Sequence, residues 1–264
     1  MHRSMGDRES GPAGRATCTT GLCLALLAAL LLAGCSPMPE LGEATAEDTY
    51  AIGVEAAERG DYLLAIEAFK RITLNTPLHE TADDALVALA DAYRATSDYV
   101  SAEECYRRLM SDYPHSSLVP EAEYKLGLTF YDQALPARLD QSMTNQAISQ
   151  LEYFIDAYPE SGFVGEARDS ILELRSRLAE KDYSSAALYF KLENPSAARV
   201  YLEAVIVEYP DTVWARLAIL DKARSFASEG SKALAEHEYR RLIDTYPGTE
   251  EAAVASSELE VLSN

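Results

Sequence analysis

A proline that follows tyrosine or threonine recurs along this chain, with alanine at fixed distances on both sides. The five prolines are Pro77, Pro114, Pro159, Pro210 and Pro247. Twelve residues before each proline stands an alanine: Ala65, Ala102, Ala147, Ala198 and Ala235. Eight residues after each stands another: Ala85, Ala122, Ala167, Ala218 and Ala255. Alanine in all of these positions indicates an internal repeat.

Apolar residues between the first alanine and the proline predict a helix in each repeat. They stand four and seven residues after the alanine, as Phe69 and Ile72, Tyr106 and Leu109, Leu151 and Phe154, Leu202 and Val205, Tyr239 and Leu242. This spacing places them on one helical face. The helix should end near the proline, because proline disfavours the α conformation in the residue before it. A second helix follows, so each repeat is predicted to be a helical hairpin.

The repeat length points to one class of helical solenoid. The interval is 37 residues from Pro77 to Pro114 and again from Pro210 to Pro247. This is close to the tetratricopeptide unit of about 34 residues, whose hairpins stack into a superhelix with a concave binding face. We therefore expect an all-α, tetratricopeptide-like superhelix of about five hairpins over residues 47–264.

The two middle intervals are longer, at 45 and 51 residues. The first surplus falls in YDQALPARLDQSM, Tyr131 to Met143, where Pro136 and mixed charges predict a loop. The second falls around Ile171 to Leu192. Its apolar residues keep helical spacing throughout, which predicts a lengthened or doubled helix.

The amino-terminal segment is predicted to be a signal peptide. Arginines at 3, 8 and 15 precede an apolar run from Gly21 to Gly34, which has 14 residues and is too short for the roughly 20 that a membrane span needs. A basic segment, an apolar segment and small residues follow in the order of a secretory signal. The ending Leu32-Ala33-Gly34-Cys35 resembles the bacterial lipobox, which implies cleavage after residue 34 and acylation of Cys35. An ordinary signal peptide that happens to contain a cysteine is the alternative.

Acylation would fix the chain to a membrane. Three acyl chains exceed the two signals that stable anchoring requires. Ser36 rather than aspartate after the cysteine favours the outer membrane under the enterobacterial sorting rule, with the chain on the periplasmic face. Residues 35–46 contain SPMPELGEATA, whose proline, glycine and acids predict a flexible tether.

The composition excludes several function classes. Residues 1–34 hold three arginines and two acids, so the remainder has 20 basic and 41 acidic side chains and a formal charge of about −21. Such a surface repels nucleic acid and anionic lipid headgroups. The remaining histidines, His79, His115 and His237, lack zinc-type spacing, and no phosphate loop or nucleophile elbow is present. We expect no enzyme activity, no cofactor and no metal site. Cys105 lies at helical spacing among apolar residues and is predicted to be a core residue.

Two segments carry a resemblance to a known family. They are LDQSMTNQAISQLEYFIDAYPESGF, residues 139–163, and RLAEKDYSSAALYFKLENPSAA, residues 177–198, followed by Tyr209-Pro210-Asp211-Thr212. Together with the lipobox they resemble the BamD family, lipoproteins of the outer-membrane β-barrel assembly machinery. The sequence departs from the family pattern after Lys191, where Leu192-Glu193-Asn194-Pro195 replaces the usual Arg-Gly.

The resemblance implies a non-catalytic scaffold. Its amino-terminal hairpins would form a groove for unfolded outer-membrane proteins, and its carboxy-terminal hairpins would dock an Omp85-type barrel-forming protein, with room for other lipoproteins. The groove candidates are aromatic residues on the first helices of the hairpins: Tyr50, Tyr93, Tyr124, Phe130 and Tyr131. The alternative is that these tyrosines are core residues, which is the more frequent role of tyrosine at helical spacing. The docking candidates are Arg199, Arg216, Arg224 and Tyr201, the last standing where the family has an arginine.

Other roles stay open at this point. The arginine pairs 107–108 and 240–241 either meet an acidic partner or form pairs within their helices. A lipid-anchored tetratricopeptide adaptor for cell-wall coordination or secretion is the alternative function, and a solute- or peptide-binding lipoprotein is a third.

Overall fold

The computed structural model describes residues 44–263, which fold into eleven α-helices with no strand in that range. None of the helices between these limits is long and apolar enough to cross a membrane. The helices are α1 (Ala46–Glu58), α2 (Tyr62–Asn75), α3 (Ala82–Ala95), α4 (Tyr99–Asp112), α5 (Val119–Asp132), α6 (Ser142–Ala157), α7 (Val164–Lys191), α8 (Pro195–Glu208), α9 (Val213–Ser228), α10 (Lys232–Thr245) and α11 (Glu250–Ser263).

Consecutive helices pair into five hairpins, from α1–α2 to α9–α10, and α11 packs after the last of them. First helices also contact the first helices of neighbouring hairpins, as α7 and α9 do, and α9 and α11. The prediction of an all-α stack of about five hairpins is therefore confirmed. Helix α1 begins at Ala46, one residue before the predicted start of the repeat domain, and the Thr45 side chain caps it by accepting from the backbone N–H of Asp48.

The repeated alanines lie at the contacts between helices. All ten have 0 % of their surface exposed. A methyl group at these points lets two helix backbones approach to about 8–10 Å. The apolar residues that stand four and seven positions after the first alanine of each repeat are buried as well. The register read from the sequence is thus the register of the core.

Each second helix ends two residues before its proline. The residue between them has φ between −126° and −132° and ψ between 51° and 59°, outside the α region that proline disfavours. The tyrosine at this position also joins hairpins. The Tyr113 hydroxyl donates to the carbonyl oxygen of Pro77 at 2.6 Å, and that of Tyr246 donates to Pro210 at 2.9 Å.

The turns inside the hairpins need one residue in the left-handed region. Gly60 and Gly230 supply it with φ of 77°, whereas Ser97 and Glu193 adopt φ of 61° and 56°. An aspartate or asparagine often follows and caps the next helix: Asn194 accepts from the backbone N–H of Ala197 at 3.1 Å. The Asn194-Pro195 segment that departs from the family pattern is therefore a capped helix start.

Both insertions have the predicted form. Residues 133–141 connect α5 to α6 without a helix, and the buried Gln141 amide donates to the carbonyl oxygens of Pro136 at 2.9 Å and Leu139 at 3.1 Å. Helix α7 runs unbroken for 28 residues. The second surplus is thus a lengthened helix that still pairs with α8 as a hairpin.

A third small position in the repeat escaped the sequence analysis. Gly53 and Gly127 are buried opposite the large residue that stands four positions after the repeat alanine, Phe69 and Leu151. The other hairpins have Ala90, Ala186 and Ala223 at the corresponding position, all fully buried. In four hairpins this position lies 24 residues before the repeat proline, but the long α5–α6 loop places Gly127 32 residues before Pro159. Counting residues from the prolines therefore does not reveal it.

Replacing Gly127 by alanine tests this packing. A Cβ atom there would lie 2.5 Å from Cδ2 and 2.8 Å from Cγ of Leu151, which is fully buried. We expect Gly127→Ala to lower the free energy of unfolding by about 1–3 kcal/mol, the usual range for overpacking. Urea unfolding followed by circular dichroism measures it.

Gly165→Ala is the matched control, because Gly165 is exposed on α7 and a Cβ atom there meets nothing within 4 Å. It should leave the free energy of unfolding unchanged or raise it by less than about 1 kcal/mol, because Gly165 is the second residue of α7 and the full helix-propensity gain applies to helix interiors. Equal effects of the two substitutions would contradict the packing argument.

Candidate partner-binding surfaces

The charges of four carboxylates on two other first helices act on the half-buried Tyr50 of α1. The carboxylates are Asp83, Asp84 and Asp91 on α3 and Glu121 on α5, and together with Tyr50 we call them the amino-terminal acidic surface. Burial, and then the charges of these carboxylates, raise the pKa of Tyr50 above its ordinary value. The hydroxyl of Tyr50 therefore stands in a negative field.

One lysine is held inside this surface. Its ammonium group, on Lys125, lies 2.6 Å from Oδ2 of Asp91 and 2.7 Å from Oε1 of Glu121. Burial lowers the pKa of Lys125, but the two carboxylates more than offset this and hold it above the ordinary value. The hydroxyl of the buried Tyr106 donates to the other oxygen of Asp91 at 2.6 Å. Asp91 is therefore held by two partners, while Asp84 is exposed.

The five aromatic residues of the predicted groove differ in burial, and the groove itself stays a prediction. Phe130 is 2 % exposed, Tyr124 8 % and Tyr93 9 %, so their rings pack inside the repeat stack and present little surface to a ligand. Tyr124, for example, stacks on Phe163 with ring centroids 5.0 Å apart. The physical reason is the helical spacing itself, which places an aromatic ring in the core as readily as in a groove.

Tyr50 and Tyr131 remain partly accessible. Burial and a hydrogen bond to Glu173 raise the pKa of Tyr131 to about 12. The guanidinium of Arg177 lies 5.9 Å from its ring centroid, within the range of a cation–π contact. Cys105 is buried as predicted, and burial raises the pKa of its thiol to about 11.

The three arginines predicted to dock a partner are engaged within the chain. Arg199 donates to Ser225 Oγ at 2.7 Å and lies 3.0 Å from Glu229. Arg216 pairs with Glu251 at 3.1 Å. Arg224 forms a two-point pair with Glu258 at 2.5 to 3.0 Å. These contacts join α8 to α9 and α9 to α11. Their docking role stays a prediction, and a partner that used them would have to compete with an existing ion pair.

The other predicted residues at this end are also in contact with neighbours. Tyr201 stacks on Tyr189 with centroids 5.1 Å apart. The basic pairs mostly form bridges along their helices, at 2.9 Å for Arg107 and Glu103, 3.1 Å for Arg108 and Asp112, and 2.5 Å for Arg240 and Glu236. Arg241 lies 3.4 Å from Glu238 on its own helix and 3.5 Å from Glu203 of α8.

An exposed apolar stripe on α8 was not predicted. Val200 is 69 % exposed and Val207 65 %, with Ala204 between them at helical spacing. They line a groove of about 500 Å³ together with Arg199 and the glutamates at 203 and 208. No other second helix has three apolar residues at these positions: α2 has Glu67, Arg71 and Leu74, α4 has Glu104, Arg108 and Ser111, α6 has Ser149, Tyr153 and Asp156, and α10 has His237, Arg241 and Asp244. Comparison of the repeats at these outward positions would have found the stripe.

Comparison with known proteins decides the family. Residues 42–242 match the model of the family described as YfiO, outer membrane lipoprotein. The chain belongs to this family. The relatives include a Caulobacter vibrioides protein named outer membrane protein assembly factor BamD, 24 % identical over 85 % of this chain and 75 % of that protein. A Vibrio cholerae protein of the same name is 25 % identical over 74 % of this chain and 85 % of its own length.

The resemblance read from the two mid-chain segments is thereby confirmed, since the YfiO match spans both of them. Among solved structures, the TPR2AB domain of yeast Sti1 aligns with 83 % of this chain and 84 % of that chain, at 15 % identity and a TM-score of 0.48. The predicted lipidation site of the YfiO-family chain, Cys35, lies outside the residues that the structure describes.

Removing one charge tests the amino-terminal acidic surface. Partial burial, and then Asp83 and Glu121, raise the pKa of Asp84, so its ionised form destabilises the fold. Asp84→Asn should raise the free energy of unfolding at pH 7 by less than about 1 kcal/mol, the scale of exposed charge pairs. The gain should vanish as the pH falls through the titration of Asp84, because the protonated carboxyl no longer repels its neighbours.

Urea unfolding at pH 7 and at pH 3 measures both effects. Asp83→Ala is the neighbouring control and should destabilise, because Asp83 accepts a hydrogen bond from Ser116 at 2.7 Å. Destabilisation by Asp84→Asn at pH 7 would contradict the repulsion.

Proposed function

We propose that this protein is an outer membrane protein assembly factor, a lipid-anchored scaffold that binds unfolded β-barrel proteins and an Omp85-type barrel-forming protein. Membership of the YfiO family and the names of its relatives support the first part. The exposed stripe on α8 is the observation that carries the second. A scaffold of stacked hairpins positions its partners through binding alone, so catalysis has no part in this function.

The stripe of Val200, Ala204 and Val207 is our candidate docking surface for the Omp85-type protein. An exposed apolar row at helical spacing is the usual anchor of a helix–partner interface. Arg199 beside the stripe, and Arg216 and Arg224 on α9, form ion pairs that hold α8, α9 and α11 together. We expect these ion pairs to keep the docking surface rigid. A rigid surface lowers the entropy lost on binding.

The amino-terminal acidic surface is our candidate site for unfolded barrel proteins. Tyr50 offers an aromatic anchor, and the nearby carboxylates attract cationic side chains of an extended chain. Tyr131 on α5 is the second accessible aromatic candidate. The two surfaces belong to different hairpins, so one scaffold could hold a substrate and the barrel-forming protein together.

Acylation of Cys35 and the tether of residues 35–46 complete the proposal. The anchor would place the hairpins on the periplasmic face of the outer membrane, with other lipoproteins as further members of the complex. Depletion distinguishes this function from that of an adaptor in another envelope system. Outer-membrane barrel proteins should decrease first under the proposed function and stay normal if the chain is an adaptor for cell-wall coordination or secretion.

Val207→Glu tests the docking surface. A charge pressed against an apolar partner surface should weaken capture by at least about tenfold, which corresponds to about 1.4 kcal/mol. The full chain is purified from native membranes, and the co-purified Omp85-type protein is quantified by mass spectrometry.

Leu74→Glu is the matched control, because Leu74 is 67 % exposed and occupies the same repeat position on α2. It should leave capture unchanged. Failure of the unmodified chain to bring down any Omp85-type protein rejects the function, whereas equal capture by Val207→Glu rejects only the docking surface.

A further inference from the structure

Polar contacts close the joint between successive hairpins at two places in the stack. Ser116, in the turn before α5, donates to Asp83 on the first turn of α3 at 2.7 Å. Arg216, on the first turn of α9, pairs with Glu251 on the first turn of α11 at 3.1 Å. Asp83 and Arg216 occupy the same repeat position, six residues after their proline. In these two hairpins, a charged side chain at this position connects the first helix to the beginning of the next hairpin or helix in the stack.

Proline replaces that charged residue in the joint between α5 and the turn before α7. The residue six positions after Pro114 is Pro120, which has no polar side chain. Ser161, the counterpart of Ser116, accepts the same local hydrogen bond from the backbone N–H two residues later, but among the described residues it has no contact like the one from Ser116 to Asp83. Within residues 44–263 the hydroxyl of Tyr158 has no hydrogen-bond partner, although its counterpart Tyr113 donates to Pro77. The joint therefore lacks the contacts that close the other two.

A cleft of about 520 Å³ lies at this joint, within the range of roughly 300–1,000 Å³ typical of ligand pockets. Four rings line it, those of Pro120, Tyr158, Pro159 and Phe163. Phe163 is held by stacking on the buried Tyr124, with an interplanar angle of 12°. This ring of the apolar wall is therefore held in place before any ligand arrives. Proteins that bind the proline or aromatic side chains of extended peptides commonly do so in grooves lined by flat rings of this kind.

Two carboxylates select the charge of the occupant. Glu121 and Glu160 also line the cleft. Glu121 shares Lys125, 2.7 Å away, whereas Glu160 is exposed and has no ion pair in the part of the chain that the structure describes. In a chain with a formal charge of −20, this edge repels anions and favours a cation. The ligand should therefore combine an apolar anchor with a basic neighbour.

We propose that this cleft is a binding site for an extended peptide segment of a partner protein that presents a proline or aromatic side chain next to lysine or arginine. The rings of Pro120, Tyr158, Pro159 and Phe163 receive the anchor, and Glu160 pairs with the basic residue. The proposal does not depend on the proposed function, since it rests on the chemistry of the cleft alone.

Fluorescence anisotropy with the full chain in detergent tests the site. The probe is a fluorescein-labelled, carboxy-amidated peptide of sequence Ala-Pro-Phe-Arg-Pro, and the same peptide with glutamate in place of arginine is its charge control. We expect saturable binding of the first peptide and weaker binding of the second. Absence of saturable binding, or equal binding of both peptides, overturns the proposal.

Pro120→Asp locates the binding. It gives Ser161 the acceptor that Asp83 gives Ser116, which should close the joint and abolish binding. Aspartate in the first turn of a helix is favourable, so the fold should persist. Ser117→Trp, on an exposed residue of the cleft edge, is a second variant that should block the cleft sterically. Undiminished binding by a folded form of either variant overturns the proposal.

Glu160→Lys tests the charge selection. It should weaken binding of the arginine peptide by about threefold to fivefold, the range of a partly exposed charge pair. Glu80→Lys is its matched control, since Glu80 is an exposed loop residue after Pro77 and the substitution makes the same change in net charge. Equal loss of affinity in both variants would show a non-specific charge effect and overturn the assignment to this cleft.

Discussion

Close approach of helix backbones at small residues is the constraint on which the rest of this structure depends. Each hairpin interface has alanine or glycine where one helix crosses another and a large apolar residue beside it, as Gly127 has Leu151. A larger side chain at the crossing would separate the helices and shift every later hairpin in the stack. Because a solenoid is stabilised through nearest neighbours, the same contact must recur in every repeat. This is why the alanine register is so regular while the loop lengths vary.

Polar contacts between hairpins add direction to this packing. The alanine contacts are apolar and do not select a particular polar partner. The hydrogen bond from Tyr113 to Pro77 and the ion pair between Arg224 and Glu258, in contrast, each join two specific groups about one repeat apart. Partly exposed ion pairs contribute little to stability. Their larger effect is to fix the orientation of α9 against α11, and of α8 against α9. At the α5 to α7 joint Pro120 stands in place of a charged residue and a cleft remains, whereas at the α7 to α9 joint, where Gly165 stands at that position, Arg175 pairs with Asp211 instead.

The sequence predicted the parts of the structure that follow from repetition. The ten alanines, the helix ends at the prolines, the loop around Pro136 and the long helix α7 depend on local spacing, which a single chain displays directly. The site residues were harder, because helical spacing alone does not separate an aromatic ring in the core from one in a groove. Phe130 and Tyr131 are adjacent in sequence, yet one is buried and the other accessible. Likewise, the contact between Arg216 and Glu251 spans 35 residues, and no local pattern reveals that such an arginine is already paired.

The internal use of arginine also determines what kind of partner this chain can select. Arg199, Arg216 and Arg224 neutralise carboxylates between helices, so the acids that remain at the surface give the accessible faces a negative potential. Under the proposed function, specific binding comes from apolar residues such as Val200 and Val207, or from a ring near carboxylates, such as Tyr50. An acidic surface with few apolar anchors rejects most negatively charged proteins by repulsion and accepts those that match an anchor. Selectivity in this scaffold therefore arises where the repeat pattern is broken, because the regular positions are occupied by the contacts that hold the stack together.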